Sequence, residues 1–69
     1  MFENKIAYWA ELKGRRHKYL AKECGVSVQT FSRWAQNKTQ PDLKQSFILA
    51  RILGISINEM GELKDGEER

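Results

Sequence analysis

Apolar residues recur at helical spacing in five stretches of this 69-residue chain, and residues that stop or start helices separate them. The first stretch runs from Glu3 to Lys13: Ile6, Trp9 and Ala10 share a stripe, Lys5 and Glu11 lie outside it, and Gly14 supplies the stop. The second spans His17 to Cys24, with Leu20, Ala21 and Cys24 on one face. Gly25 ends it, because the turn there needs a positive φ that glycine adopts at little cost. Ser27 is an N-cap for a third helix, Val28 to Gln36, whose inward pair is Phe31 and Trp34 at three-residue spacing.

Asn37 to Gln40 reads as a polar connection, and Pro41 suits the start of a helix. Asp42 with Gln45 forms a capping box for a fourth helix that reaches Leu53 before Gly54. Its core face is read as Leu43, Phe47, Ala50 and Ile52 or Leu53. A second capping box, Ser56 with Glu59, is flanked by Ile55 and Met60 at hydrophobic-staple positions and predicts a short fifth helix to about Leu63. No stretch reads as a strand. The fold expected is all-α: a compact five-helix domain over residues 1–63, followed by a polar tail over 64–69 that frays.

A chain of this length houses one domain with a small core, and its lone Cys24 forms no internal disulfide. No apolar run approaches a membrane span, and no signal-peptide pattern is visible, so the cytoplasm is the expected compartment and no membrane is a partner. One His, one Cys, no supported carboxylate pair, no metal-ligand spacing and no Gly-rich phosphate loop argue against an enzyme, and no cofactor or metal is expected. Charge changes the picture more. Residues 1–51 hold ten Lys or Arg against four acids, whereas residues 52–69 hold two against five. A basic body beside an acidic end suits a polyanion met on one face, although ordinary surface charge would look the same.

The second and third stretches make a helix, a glycine turn and a helix, with Ala21 small at the close approach and Leu20, Phe31 and Trp34 fixing the angle. With those positions turned inward, the third helix leaves Val28, Gln29, Ser32, Arg33 and Gln36 outside. Arg pairs with guanine, Gln with adenine and a small apolar side chain with the thymine methyl, so Val28, Gln29, Ser32 and Arg33 are candidate base contacts in a major groove.

The run Leu20-Ala21-Lys22-Glu23-Cys24-Gly25-Val26-Ser27, followed by Gln29-Thr30-Phe31-Ser32-Arg33-Trp34, resembles the phage repressor and Cro-like, or XRE-type, helix-turn-helix family. Asn37-Lys38-Thr39-Gln40-Pro41 is similar to that family's connection after the recognition helix, and Leu53 to Met60 to its closing helix, so the likeness covers roughly residues 3–63. It implies a lambda-repressor-like domain and a sequence-specific transcriptional regulator, most simply a repressor of phage, mobile-element or bacterial type, acting on the nucleoid or in a phage's host. The implied partner is a palindromic double-stranded DNA operator. A homodimer formed on that DNA is left open, with Ile57, Met60 and Leu63 as candidate contacts.

The resemblance also implies phosphate contacts from Ser27, Thr30, Gln36, Asn37, Lys38 and Thr39. The chain departs from the family at Arg15-Arg16-His17, where an apolar residue, Ser or Thr, and Gln are usual. That removes the usual N-cap of the second helix, normally worth about 1 kcal/mol. In exchange, Arg15, Arg16, His17 and Lys18 become candidate phosphate contacts, with His17 in place of the glutamine; the plain alternative is a solvated run. The competing function is a protein-interaction module on the same fold: an antitoxin, an antirepressor partner or an excision accessory factor. Arg33, Gln29 and Lys38 weigh against it, because a pure interaction module tends to lose polar groups from the outer recognition face.

Overall fold

The computed structural model describes residues 1–64. A short strand β1 (Phe2–Asn4) leads into four α-helices, α1 (Ile6–Leu12), α2 (His17–Cys24), α3 (Val28–Ala35) and α4 (Leu43–Leu53). A single 3₁₀ turn (Ile57–Met60) and a second strand, β2 (Gly61–Leu63), follow. Among the described residues no helix is long and apolar enough to cross a membrane.

Local chemistry sets most of these boundaries. The Ser27 hydroxyl accepts the Thr30 N–H at 3.1 Å and so starts α3. Asp42 Oδ1 accepts the Gln45 N–H at 2.7 Å while Gln45 Oε1 accepts the Asp42 N–H at 2.9 Å, the two halves of the expected capping box. α2 has no such device: Arg16 stands at its N-cap without a side-chain bond. At the other end Gly25 takes φ 73°, and the Val26 N–H reaches the Ala21 carbonyl at 3.0 Å, closing the left-handed turn that glycine was expected to make.

Ile6, Ala10, Leu20, Ala21, Phe31, Trp34, Leu49, Ala50, Leu53 and Met60 form the core. Phe31 and Trp34 are inward as expected, with ring centroids 5.7 Å apart. α2 packs on both α3 and α4.

Three expectations are corrected. The five-helix architecture becomes four α-helices, because the fifth stretch makes one 3₁₀ turn and then extends. Glu59 does accept the Ser56 N–H at 2.8 Å, but from Gly61 the backbone pairs with β1 instead of coiling on. The sequence showed no strand; the structure has two, antiparallel, with Phe2 opposite Leu63, Glu3 opposite Glu62 and Asn4 opposite Gly61. Consequently α1 begins at Ile6, since Glu3 and Asn4 belong to the sheet.

The core face of α4 is also rotated. Leu43 and Phe47 are exposed, 72% and 57%, and Leu49 takes the buried place beside Ala50 and Leu53. Met60 is buried and closes the core, so it is removed from the candidate dimer contacts. Lys64, grouped with the polar end, donates its N–H to the Met1 carbonyl at 2.6 Å. The rest of that tail, residues 65–69, lies outside the described residues.

The hairpin is held at its surface by charge. Lys64 Nζ lies 3.1 Å from Glu3 and 2.8 Å from Glu62, and Lys5 Nζ lies 3.3 Å from Glu62. Glu3 and Glu62 face each other across the strands, and the two lysines screen that repulsion. Lys64, and then Lys5, hold the Glu62 carboxyl below its ordinary range, while Glu62 and Glu3 raise the Lys64 ammonium.

Candidate nucleic-acid interface

Burying Phe31 and Trp34 turns the opposite side of α3 outward, and there Val28, Gln29 and Arg33 are exposed, with Ser32 partly so. All four candidate base contacts therefore share one face, on a helix about 12 Å long, comparable to the major groove's width. Gln36 extends that face and donates from Nε2 to Ser32 Oγ at 3.1 Å, one turn back. The Ser27 hydroxyl lies 3.1 Å from Thr30 Oγ1, so the N-terminal pair of candidate phosphate contacts is held together at the start of α3.

Arg15, Arg16, His17 and Lys18 are all exposed, at the turn before α2 and in its first residues. His17 has a packing role the sequence did not reveal: its ring lies 5.0 Å from that of Phe31, tilted by 59°, so it covers the core aromatic while its edge stays in solvent. Lys38 and Thr39 are exposed beyond α3. Within the described residues none of Arg15, Arg16, Lys18, Arg33 and Lys38 joins an ion pair, whereas Lys5 and Lys64 do. Lys13, Lys22, Lys44 and Arg51 also stand outside ion pairs among the described residues. Positive charge on the α2–α3 side is thus left uncompensated by the protein itself.

Asn37 is the exception among the candidate phosphate contacts. It sits at φ 62° after α3, where glycine would be usual, and the Lys38 N–H closes the turn on the Arg33 carbonyl at 2.9 Å. Its amide faces Asn4: Asn37 Oδ1 accepts the Asn4 N–H at 2.7 Å, and Asn37 Nδ2 donates to the Asn4 carbonyl at 3.1 Å. Gln40 Nε2 donates to the same Oδ1 at 3.1 Å. The Asn37 side chain is therefore a bridge to β1, and any phosphate contact there falls to its neighbours.

Asn4 is the residue that sequence reasoning missed. Buried to 6% exposure, it donates from Nδ2 to the Trp34 carbonyl at 2.7 Å and to Gln40 Oε1 at 2.7 Å, and accepts the Ile6 N–H at 3.0 Å. One side chain thus joins the end of α3, where the Trp34 carbonyl also accepts the Asn37 N–H, to the start of α1, whose Ile6 N–H it satisfies. The only available signal was Asn37 itself, the non-glycine residue that best tolerates a left-handed turn.

The concave spaces lie away from the exposed row on α3. One hollow of about 670 Å³ runs between Tyr8 and Trp9 of α1, the end of α3, and Asn58, Glu59, Gly61 and Glu62. Tyr8 is exposed there, while Trp9 is partly buried, bonded from Nε1 to the Glu59 carbonyl at 2.8 Å, with the Lys13 ammonium 5.9 Å from its ring.

The chain is similar to known proteins over most of its length. A protein of Methanocaldococcus jannaschii described as an uncharacterized helix-turn-helix-type transcriptional regulator is 34% identical over 65 residues, covering 94% of this chain and 98% of its own. The crystal structure of a candidate DNA-binding protein from Bacteroides fragilis superposes with a TM-score of 0.85 at 32% identity, over 90% of this chain and all of that one. A transcriptional regulator from Listeria innocua, at 18% identity, shares the fold with a TM-score of 0.72, over 97% of this chain and 67% of its own. The helix-turn-helix family model matches residues 6–60, from the start of α1 to the end of the 3₁₀ turn, and the chain belongs to that family, in its XRE-type, Cro-like branch.

Proposed function

We propose that this chain is a sequence-specific, double-stranded DNA-binding regulator of transcription, acting as a repressor in the cytoplasm by covering a palindromic operator. Its binding unit is residues 1–63. α3 enters the major groove, and Val28, Gln29, Ser32 and Arg33 meet base edges. Arg15, Arg16, His17 and Lys18 on one side, and Ser27, Thr30, Gln36, Lys38 and Thr39 on the other, meet the phosphates. The observation that carries this reading is the coincidence, within the helix-turn-helix and its flanking turns, of an exposed polar row on α3 and five exposed cations outside any ion pair. Both halves are needed: phosphate contacts give affinity and register, and base contacts give choice of site.

Selection of bound sequences from a random double-stranded pool tests it. Enrichment of a short motif, repeated as an inverted pair, is the expected result. Uniform recovery of the pool at low salt, with no enrichment, would reduce the chain to a non-specific polyanion binder.

A further inference from the structure

We propose that Gln36 and Ser32 act as one reading unit on α3: the Gln36 amide occupies a lone pair of the Ser32 hydroxyl, holds that hydroxyl as a proton donor, and so makes Ser32 exclude cytosine at one position of the operator. The unit rests on the DNA-binding reading above and says how one residue of its base-contacting row chooses.

The chain has four serines, and three of them spend the hydroxyl proton inside the protein. Ser27 Oγ donates to Thr30 Oγ1 at 3.1 Å, Ser46 Oγ to the Asp42 carbonyl at 2.8 Å, and Ser56 Oγ to Glu59 Oε1 at 3.3 Å. Ser32 does the reverse. Its Oγ accepts from Gln36 Nε2 at 3.1 Å, and among the described residues its own proton has no acceptor. A helical serine can turn that proton back onto the carbonyl one turn earlier, as Ser46 does. On Ser32 it stays free, on the outward side of a helix whose inner side is closed by Phe31 and Trp34.

The tether is held at both ends. Gln36 also sends its backbone N–H to the Ser32 carbonyl at 3.0 Å, so its main chain and side chain bond to the same residue. The end of α3 around it is anchored, because Trp34 is buried and the Asn37 amide is bonded to Asn4. An amide nitrogen donates and does not accept, so Ser32 cannot give its proton to Nε2. The second N–H of Nε2 is left over for a phosphate oxygen.

A serine hydroxyl free to rotate donates or accepts as the base edge requires, and so tolerates any base. Held by Gln36, it must find an acceptor once the interface excludes water, or leave a buried donor unpaired. In the major groove guanine offers N7 and O6, adenine N7 and thymine O4, whereas cytosine offers only its N4 amino donor. Ser32 therefore admits the first three and rejects cytosine.

Selection from a random double-stranded pool, run in parallel on the parent, Ser32→Ala, Gln36→Glu and Gln36→Lys, tests the unit. In Gln36→Glu a carboxylate takes the Ser32 proton and frees both lone pairs of Oγ for an amino donor; in Gln36→Lys an ammonium donates to Oγ as the amide does. The parent motif should contain one position from which cytosine is depleted about tenfold or more on one strand. Ser32→Ala should level that position alone, Gln36→Glu should admit cytosine there, and Gln36→Lys should keep the exclusion. The opposite charges of the two Gln36 variants shift affinity for every sequence alike, so they do not imitate a change at one position. Helical circular dichroism should be unchanged, since neither residue is buried. A parent motif without such a position, or one that Ser32→Ala and Gln36→Glu leave as it was, overturns the unit while the DNA reading stands. So does a change at that position that Gln36→Glu and Gln36→Lys share. A parent that enriches no motif overturns the DNA reading itself, and the unit falls with it.

Discussion

Asn4 and Asn37 exchange hydrogen bonds across 33 residues of chain, each using an amide against the other's neighbourhood: the Asn4 N–H to Asn37 Oδ1 at 2.7 Å, and Asn37 Nδ2 to the Asn4 carbonyl at 3.1 Å. Through this pair the first strand holds the end of α3 in place, while the Asn4 side chain gives the Trp34 carbonyl a second donor beside the Asn37 N–H. Replacing Asn4 with Ala removes its bonds to the Trp34 carbonyl, Gln40 and the buried Ile6 N–H, and should destabilise the fold by about 1–3 kcal/mol. Asn37→Gly keeps the left-handed turn but loses both bonds to the Asn4 backbone, which Asn4→Ala leaves in place, so the two losses should be close to additive, with Gln40 the one side chain both contact. Urea denaturation of all four proteins measures this; a double variant that loses much less than the sum would show that the two side chains act as one unit.

Gly61 is required by Phe2 and not by its own backbone, which is extended. A Cβ at Gly61 would lie 2.5 Å from Phe2 Cζ and 3.0 Å from the Glu3 carbonyl oxygen. Gly61→Ala should therefore destabilise by about 1–3 kcal/mol as the ring is forced off its partner strand. Adding Phe2→Ala should recover part of that loss. A Gly61→Ala protein as stable as the parent would mean that the ring moves aside freely.

On the outer side of α3, Gln29→Ala and Arg33→Ala should each remove about 1–3 kcal/mol of discrimination at one or two base pairs. Helical circular dichroism should stay nearly intact, because both side chains are exposed. Trp34→Ala should instead unfold the domain, since deleting a buried aromatic costs about 3–5 kcal/mol. Binding assays on selected DNA, beside thermal melts, check both. Unchanged selectivity in the two exposed variants would remove them from the interface.

The basic run before and within α2 separates phosphate contact from a solvated surface. Replacing Arg16 and Lys18 with Gln should weaken binding to all sequences alike and lower the salt slope by about one unit per lost contact. Sequence preference should survive. An unchanged slope in the double variant would leave the run as surface charge.

Cys24 is half-buried, and burial, with Glu23 and Asp42 nearby, pushes its thiol above the ordinary value. The folded state therefore keeps its proton longer than the unfolded chain does. That difference is absent well below the unfolded thiol's value of about 8.5, and stability should fall as pH rises through it toward the folded value. Alkylation by iodoacetamide at pH 8 should be slower than for an unstructured thiol, and urea should restore it. Equal rates in native buffer and in urea would contradict this.

The sequence by itself determined what depends on neighbours a few residues away. Ser27 and Asp42 start helices, Gly25 ends one, and Phe31 and Trp34 recur at the spacing that turns Gln29 and Arg33 outward; each is settled within one or two turns of chain. The motif carried the family for the same reason.

Tertiary structure alone decided the rest. Residues 2–4 and 61–63 have no alternating pattern long enough to mark a strand, and they become strands only by finding each other across the length of the chain. α4 carries apolar residues on two sides, and which side turned inward depended on where α2 and the 3₁₀ turn packed, so Leu49 is buried and Phe47 is not. Asn4 looked like an ordinary surface amide; it became the link to the recognition helix because folding brought the Trp34 carbonyl and Asn37 to it, and a buried polar group must be satisfied by whatever partner the fold supplies.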